Sequence, residues 1–185
     1  MEVKKNLRIK SKPSRPLMDM YKMGLLNGSI LEFGHKPKAN LKFLSTVKPN
    51  TVISGFDPNA YNPPNNIRYD TIFSNYIFNY LATKEEIDYF FRIVKKKLEA
   101  NGILIVVARS IAEVKGNTKR TGNWTFDPKL NGYVSNGGVF QRGYDNNELD
   151  KLIESYGFEV ITDQYEFDPK PYSFTICRKN PKMIA

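Results

Sequence analysis

The chain has 185 residues, 41% hydrophobic and 25% charged, with 28 Lys and Arg against 19 Asp and Glu for a net charge of +9. That length suits one domain with a sizeable core, and the composition excludes a collagenous, low-complexity or disordered chain. The single cysteine, Cys177, excludes a disulfide framework and a thiolate metal cluster; with no signal-like apolar core in the first ten residues and no run near the roughly 18 apolar residues of a membrane span, a soluble, cytoplasmic protein is expected.

In chain order, basic side chains gather most tightly at Lys4, Lys5, Arg8, Lys10, Lys12 and Arg15. Residues 1–28 therefore read as a basic arm and a short helix, and 29–185 as the main domain. The short helix is predicted over 16–26, with Pro16 in its first turn and Asn27-Gly28 after its end. A buried strand follows at 30–33, a helix opening on Pro37 at 37–45, and a second strand at 51–56. The Pro- and Asn-rich segment 58–66 is a loop, and 69–74 is a third strand. Thr83-Lys84-Glu85-Glu86 has the capping-box pattern, and behind it Ile87, Phe90, Phe91, Val94 and Leu98 share one helical face. Asn101-Gly102 is expected to end that helix before a strongly apolar, central strand at 103–108.

Residues 110–145 are rich in Gly, Asn, Thr and Lys and show no clear period. They read as one long loop, a lid or binding surface. Asp145-Asn146-Asn147-Glu148 then caps a helix carrying Leu149, Leu152, Ile153 and Tyr156 on one face and closing at Gly157. Strands at 158–167 and 172–178, joined across Asp168-Pro169-Lys170-Pro171, form an antiparallel pair.

Strand–helix alternation ending in such a pair predicts an open, mostly parallel α/β sheet with helices on both faces. Ligands in these sheets sit at the carboxyl ends of the strands. That rule gathers Glu32, Gly34, His35, Lys36, Lys38, Asp57, Pro58, Ser74, Asn75, Tyr76, Arg109 and Ser110 around one crevice. An apolar strand ending in an acid and a glycine, then a second strand ending in an acid, suits a nucleoside: the turn admits the ligand to the backbone and the second acid accepts from ribose hydroxyls.

Across residues 29–178 the order and spacing resemble the class I S-adenosylmethionine-dependent methyltransferases, a Rossmann-like fold. Glu32 and Gly34 match the acid and glycine-rich turn after the first strand, Asp57 the ribose-binding acid, and Tyr69-Asp70-Thr71-Ile72-Phe73-Ser74-Asn75-Tyr76-Ile77-Phe78-Asn79-Tyr80-Leu81 the fourth-strand motif. The resemblance implies S-adenosylmethionine as cofactor, held by Glu32, Gly34, His35, Asp57, Pro58, Ser74 and Asn75, with Asn75 and Tyr76 at the catalytic edge. Asp57 to Asp70 leaves no room for a further helix and strand, so the sheet should be one strand short between the second and fourth strands of the family. Lys12-Pro13-Ser14-Arg15-Pro16 and Gly138-Val139-Phe140-Gln141-Arg142-Gly143-Tyr144 resemble the methyltransferases associated with DNA phosphorothioation systems, which implies DNA modification.

Two features depart from the family. Lys36 and Lys38 stand where later glycines of the turn belong. The turn has then rearranged around Pro37 and still binds cofactor, or has lost cofactor and left an interaction module, or uses the lysines for an anion at the helix N-terminus. Asn62-Pro63-Pro64-Asn65 looks like a base-gripping signature of amino-group methyltransferases, but it precedes the strand it should follow and lacks the aromatic residue, so it reads as a rigid loop. His35, the only histidine, supports no metal site, and Cys177 reads as core.

Trp124, Phe126, Tyr133, Phe140, Gln141 and Arg142 read as a base-stacking lid or as anchors of the long segment. Arg109, Gln141 and Arg142 are the candidate substrate contacts. The charge points either to a nucleic-acid acceptor or to a merely solubilising surface. The function expected is S-adenosylmethionine-dependent methyl transfer; the alternatives are a non-catalytic module binding DNA or a partner protein, and an enzyme degrading S-adenosylmethionine itself.

Overall fold

The structure is a computed structural model that describes residues 12–34, 39–57, 66–166 and 172–180. His35, Lys36, Lys38, Pro58 and the Asn62-Pro63-Pro64-Asn65 loop lie outside these residues, as does most of the basic arm. Six strands form the main sheet in the order β2-β1-β3-β4-β9-β8. They are β1 (Ile30–Phe33), β2 (Ile53–Phe56), β3 (Tyr69–Asn75), β4 (Leu98–Arg109), β8 (Phe158–Val160) and β9 (Tyr172–Lys179). The first four run parallel, and β9 is antiparallel to both β4 and β8. β2 connects to β3 with no intervening helix or strand among the described residues, so the expected short sheet is present.

Alternate strand residues feed two cores. Leu31, Phe33, Ile72, Leu104, Val106 and Cys177 face helices α3 (Lys84–Lys97) and α5 (Asn146–Ser155), which contribute Phe90, Phe91, Val94, Leu149 and Ile153. Ile30, Phe73, Ile105, Val107, Phe174 and Ile176 face α1 (Arg15–Lys22) and α2 (Ala39–Val47) through Leu17, Met20 and Leu44. A run of uninterrupted apolar residues such as 103–108 is what a strand covered on both faces requires.

The local signals operate as read. Thr83 and Glu86 close the capping box of α3, and the Asp145 carboxylate caps α5 by accepting from the Glu148 amide at 2.8 Å. Other boundaries move. The first helix spans Arg15–Lys22 rather than 16–26, capped by the Ser14 hydroxyl. α3 stops at Lys97, and Asn101-Gly102 falls inside β4, where pairing with β3 jumps from Tyr69↔Leu98 to Thr71↔Ile103. The Asn-Gly signal marked an irregularity, but the sheet absorbs it as a bulge: a Cβ at Gly102 would stand 2.9 Å from the Asp70 carbonyl. The last strand pair is shorter than expected on one side, with β8 ending at Val160 before a 3-10 turn at Thr162–Gln164.

The largest difference is at 110–145, which is not a loop. It holds α4 (Ile111–Thr121), capped by the Ser110 hydroxyl, and an antiparallel sheet of β5 (Trp124–Asp127), β6 (Gly132–Ser135) and β7 (Phe140–Gln141). Only Val114 and Thr118 of α4 are buried, and Gly116 stands in its middle without breaking it. With so narrow a buried stripe, no apolar period was available to reveal the helix.

Candidate functional site

The parallel register sets the carboxyl ends of β1 and β3 level: Glu32 lies beside Gly55 and Phe73, and Phe33 beside Phe56 and Ser74. Glu32, Asp57 and Ser74 are therefore brought to one edge, all three buried. Glu32 is 1% exposed, and burial pushes its carboxyl up to about 7, against the opposing effect of a hydrogen bond from Asn40.

Asn40, itself buried in the first turn of α2, donates through Nδ2 to Glu32 Oε1 and accepts through Oδ1 from the Ser14 amide at 2.7 Å. The Ser14 hydroxyl in turn accepts from Asn75 Nδ2 at 3.1 Å. Glu32, Asn40, Ser14 and Asn75 form one chain of side chains that ties the segment before α1 across the ends of β1 and β3. Two oxygens in this layer, Glu32 Oε2 and Asn75 Oδ1, are buried and have no hydrogen-bond partner; Ser74 Oγ is also unpartnered, but it lies on the opposite face of β3, in register with Phe33. Buried polar atoms are nearly always paired, so two orphans on one face mark a place for a ligand or ordered water. Two acceptor oxygens suit the ammonium of an amino-acid moiety, and Asp57 after the neighbouring strand suits hydroxyls. The residues fit S-adenosylmethionine.

The backbone at this edge is unusual at two places. Gly34 has φ +87°, and a Cβ there would overlap Ile77 Cδ1. The glycine is thus required by the local backbone and by a neighbouring side chain, and Ile77 takes the face that its missing Cβ leaves free. Tyr76 has φ +62°, rare for a bulky residue, which turns the chain sharply after β3 while its amide still donates to the Val107 carbonyl at 2.8 Å. The Arg109 guanidinium lies 5.1 Å from the Tyr76 ring centroid and pairs with Glu113 at 2.7 Å. Burial, then Glu113, push the Tyr76 phenol up to about 12, so it stays protonated near neutrality and offers a donor and a flat face rather than a base.

Arg109 also lines a cleft of about 490 Å³ bounded by α4, the turn carrying Tyr80, and the small sheet. Glu113, Asn117, Arg120 and Thr121 lie along one side of α4 toward it, with Trp124 and Gln141 opposite. Arg109 Nε and Glu113 Oε2 are buried there without hydrogen-bond partners. Of the three candidate substrate contacts, Arg109 and Gln141 come together, whereas Arg142 does not join them. Arg142 forms an ion pair with Glu148 and lies 4.7 Å from the Tyr144 ring centroid, anchored toward α5. Phe140 is buried on the far face of the small sheet against Gly132.

Ser14, Asn40, Asn79 and Glu113 were not singled out as site residues from sequence. Ser14 had a signal, a cap residue two before Pro16. Asn79 had none: it is fully buried and stitches two segments, accepting from the Arg109 amide at 2.8 Å and donating to the Arg142 carbonyl at 2.6 Å. Cys177 is core, as expected, with its thiol pushed up by burial. Among the described residues no His, Cys, Asp and Glu group is placed to hold a metal, and no helix is long and apolar enough to cross a membrane.

No protein-family model and no curated protein matches the chain. Solved structures do. The CcbJ methyltransferase from Streptomyces caelestis superposes with a TM-score of 0.59 at 16% identity, covering 91% of each chain. The fold is that of the class I methyltransferases. The 1,6-didemethyltoxoflavin-N1-methyltransferase of Burkholderia thailandensis, solved with S-adenosylhomocysteine, shares this methyltransferase fold with a TM-score of 0.57 at 13% identity over 90% of this chain and 77% of its own. So does the glycopeptide N-methyltransferase MtfA complexed with S-adenosylmethionine, with a TM-score of 0.54 at 12% identity over 91% and 88%.

Proposed function

We propose that this methyltransferase fold is a working S-adenosylmethionine-dependent methyltransferase with a modified cofactor turn and a nucleic-acid acceptor. The observation that carries the reading is the pair of unpartnered buried oxygens on Glu32 and Asn75, on one face of the sheet, beside Asp57 at the carboxyl edge. In such a site Glu32 and Asn75 bind the amino-acid end of the cofactor, and Asp57 the ribose. The cofactor supplies an electrophilic methyl group on a sulfonium. The chain's contribution is positioning: no side chain at the edge is an activated nucleophile, so Asn75 and the neutral Tyr76 orient the acceptor for in-line attack. Lys36 and Lys38 in place of turn glycines, and Ile77 over Gly34, favour weaker cofactor binding than an all-glycine turn gives.

The net charge of +9 and the resemblance to methyltransferases of DNA phosphorothioation systems support nucleic acid as the acceptor and a cytoplasmic setting. Ile77 against Gly34 also favours a second reading, a non-catalytic module that retains the fold. Calorimetric titration with S-adenosylmethionine and S-adenosylhomocysteine separates the two. Saturable heat that Asp57→Ala removes supports the enzyme. Silence from the wild type at millimolar ligand would exclude cofactor binding and leave the module. Transfer of a labelled methyl group to DNA, RNA or protein then identifies the acceptor.

A further inference from the structure

We infer that one face of the small sheet is a stacking platform for single-stranded nucleic acid, leading bases into the Arg109 cleft. The inference rests on the acceptor class proposed above and not on methyl transfer. Residues two apart in a strand share a face, so Trp124 and Phe126 of β5 point the same way. Cross-strand pairing sets Tyr133 opposite Phe126, with the two rings 5.3 Å apart, and sets Gln141 opposite Tyr133. One face of the sheet thus carries three aromatic rings and ends in an amide. Phe126 is 50% exposed, Trp124 and Tyr133 are half-buried, and Trp124 and Gln141 form one wall of the cleft.

Exposed rings ordered along a rigid sheet serve a ligand with a series of flat faces, and a ligand that is anionic is favoured by what surrounds them. Residues 109–142 carry six basic and two acidic side chains; of the six, Arg109 pairs with Glu113 and Arg142 with Glu148, which leaves Lys115, Lys119, Arg120 and Lys129. Both acids are engaged: Glu113 pairs with Arg109, and Asp127 accepts from the Lys129 and Leu130 amides in its own turn. Arg120, on the cleft side of α4, bonds among the described residues to the Asn117 amide oxygen, at 2.8 Å, and to no carboxylate. Rings for bases beside cations for phosphates is how sequence-tolerant single-strand binding is built, and a duplex, with its bases already stacked inside, cannot use the rings.

Arg109 joins this surface to the chemistry. Its guanidinium lines the cleft and also lies on Tyr76, one residue beyond Asn75 at the cofactor edge. A base held against Trp124 would have Gln141 and Asn117 for its polar edge.

The chain's only tryptophan is Trp124, so its fluorescence reports this site without substitution. Titration with oligothymidylate and oligouridylate of about 12 nucleotides should quench it in a saturable way, the two arms distinguishing DNA from RNA, and the matching duplex should bind at least about tenfold more weakly. Labelled-oligonucleotide anisotropy should show Phe126→Ala weakening binding roughly tenfold and Arg120→Gln weakening it with a smaller salt dependence, by about one counterion. Both sites are exposed, and unchanged thermal unfolding would establish that the variants fold.

Absence of quenching, binding of duplex as tight as of single strand, or Phe126→Ala equal to wild type would overturn the inference. So would concentration-dependent self-association that alters Trp124 emission without nucleic acid, which would assign the face to a second copy of the chain. Quenching without methyl transfer sinks the enzyme reading and leaves the platform; methyl transfer without quenching does the reverse.

Discussion

Replacing Glu32 by glutamine should stabilise the cofactor-free protein above neutral pH while weakening cofactor binding. Glu32 is 1% exposed, and burial raises its carboxyl from 4.5 to about 7. A raised pKa means that the folded state holds this proton in a range where the unfolded chain has lost it. The contribution is fully present below about pH 4.5, declines as pH rises, and is lost above about pH 7. The gap corresponds to about 3 kcal/mol at most.

Glutamine is neutral throughout and keeps an oxygen for Asn40 Nδ2, but it places an amide where Oε2 now has no partner, at a cost of about 1–2 kcal/mol. The net gain at about pH 8 should be about 1–2 kcal/mol, or roughly 2–8 °C in melting temperature for a chain of this size. Urea unfolding followed by far-UV circular dichroism between about pH 5 and pH 8 measures both the gain and the flattened pH slope. Calorimetry on the same variant should show S-adenosylmethionine affinity down at least about tenfold, the usual exchange of stability for function at a strained site. A variant with the wild-type pH slope, or one less stable than wild type at the alkaline end, would refute the account of Glu32.

Ser14→Ala should cost about 1–2 kcal/mol, since one hydroxyl caps α1 and accepts from Asn75. Amide exchange should quicken selectively over 12–22, and uniform protection there would count against the latch. Asn79→Ala leaves the Arg109 amide and the Arg142 carbonyl without this partner, the Arg109 carbonyl keeping the Tyr144 amide, and should cost about 2–3 kcal/mol. Because Asn79 joins β4 to the small sheet, Trp124 emission should change at lower urea than the far-UV signal; coincident transitions would reject that role. The Cys177 thiol should resist an aromatic disulfide reagent in native buffer and react at once in urea, its burial and raised pKa acting together. Rapid stoichiometric labelling of the folded protein would contradict the core placement.

Much of the fold was legible because local and global preferences agree. The capping box at Thr83, the cap at Asp145 and the apolar run at 103–108 each had a physical signal that long-range contacts reinforced. Where the two levels disagree, reading by period failed. Asn101-Gly102 carries a turn signal that the sheet converts into a bulge, and α4 buries too narrow a stripe to show a helical repeat. Within the site, Arg109, Gln141 and Arg142 looked equivalent in sequence. Arg142 drops out because Glu148, in the first turn of the next helix, claims it.

The sequence by itself determined the strand–helix order outside 110–145 and the acids at the ends of β1 and β2, because period, caps and charge are properties of neighbours along the chain. Only the tertiary structure decided that Asn40 and Ser14 bind Glu32 to Asn75, that Ile77 occupies the space Gly34 leaves, and that Trp124, Phe126 and Tyr133 share one face. Trp124 and Phe126 excepted, as neighbours two apart in β5, those pairings join residues that the sequence does not relate, and packing chooses them.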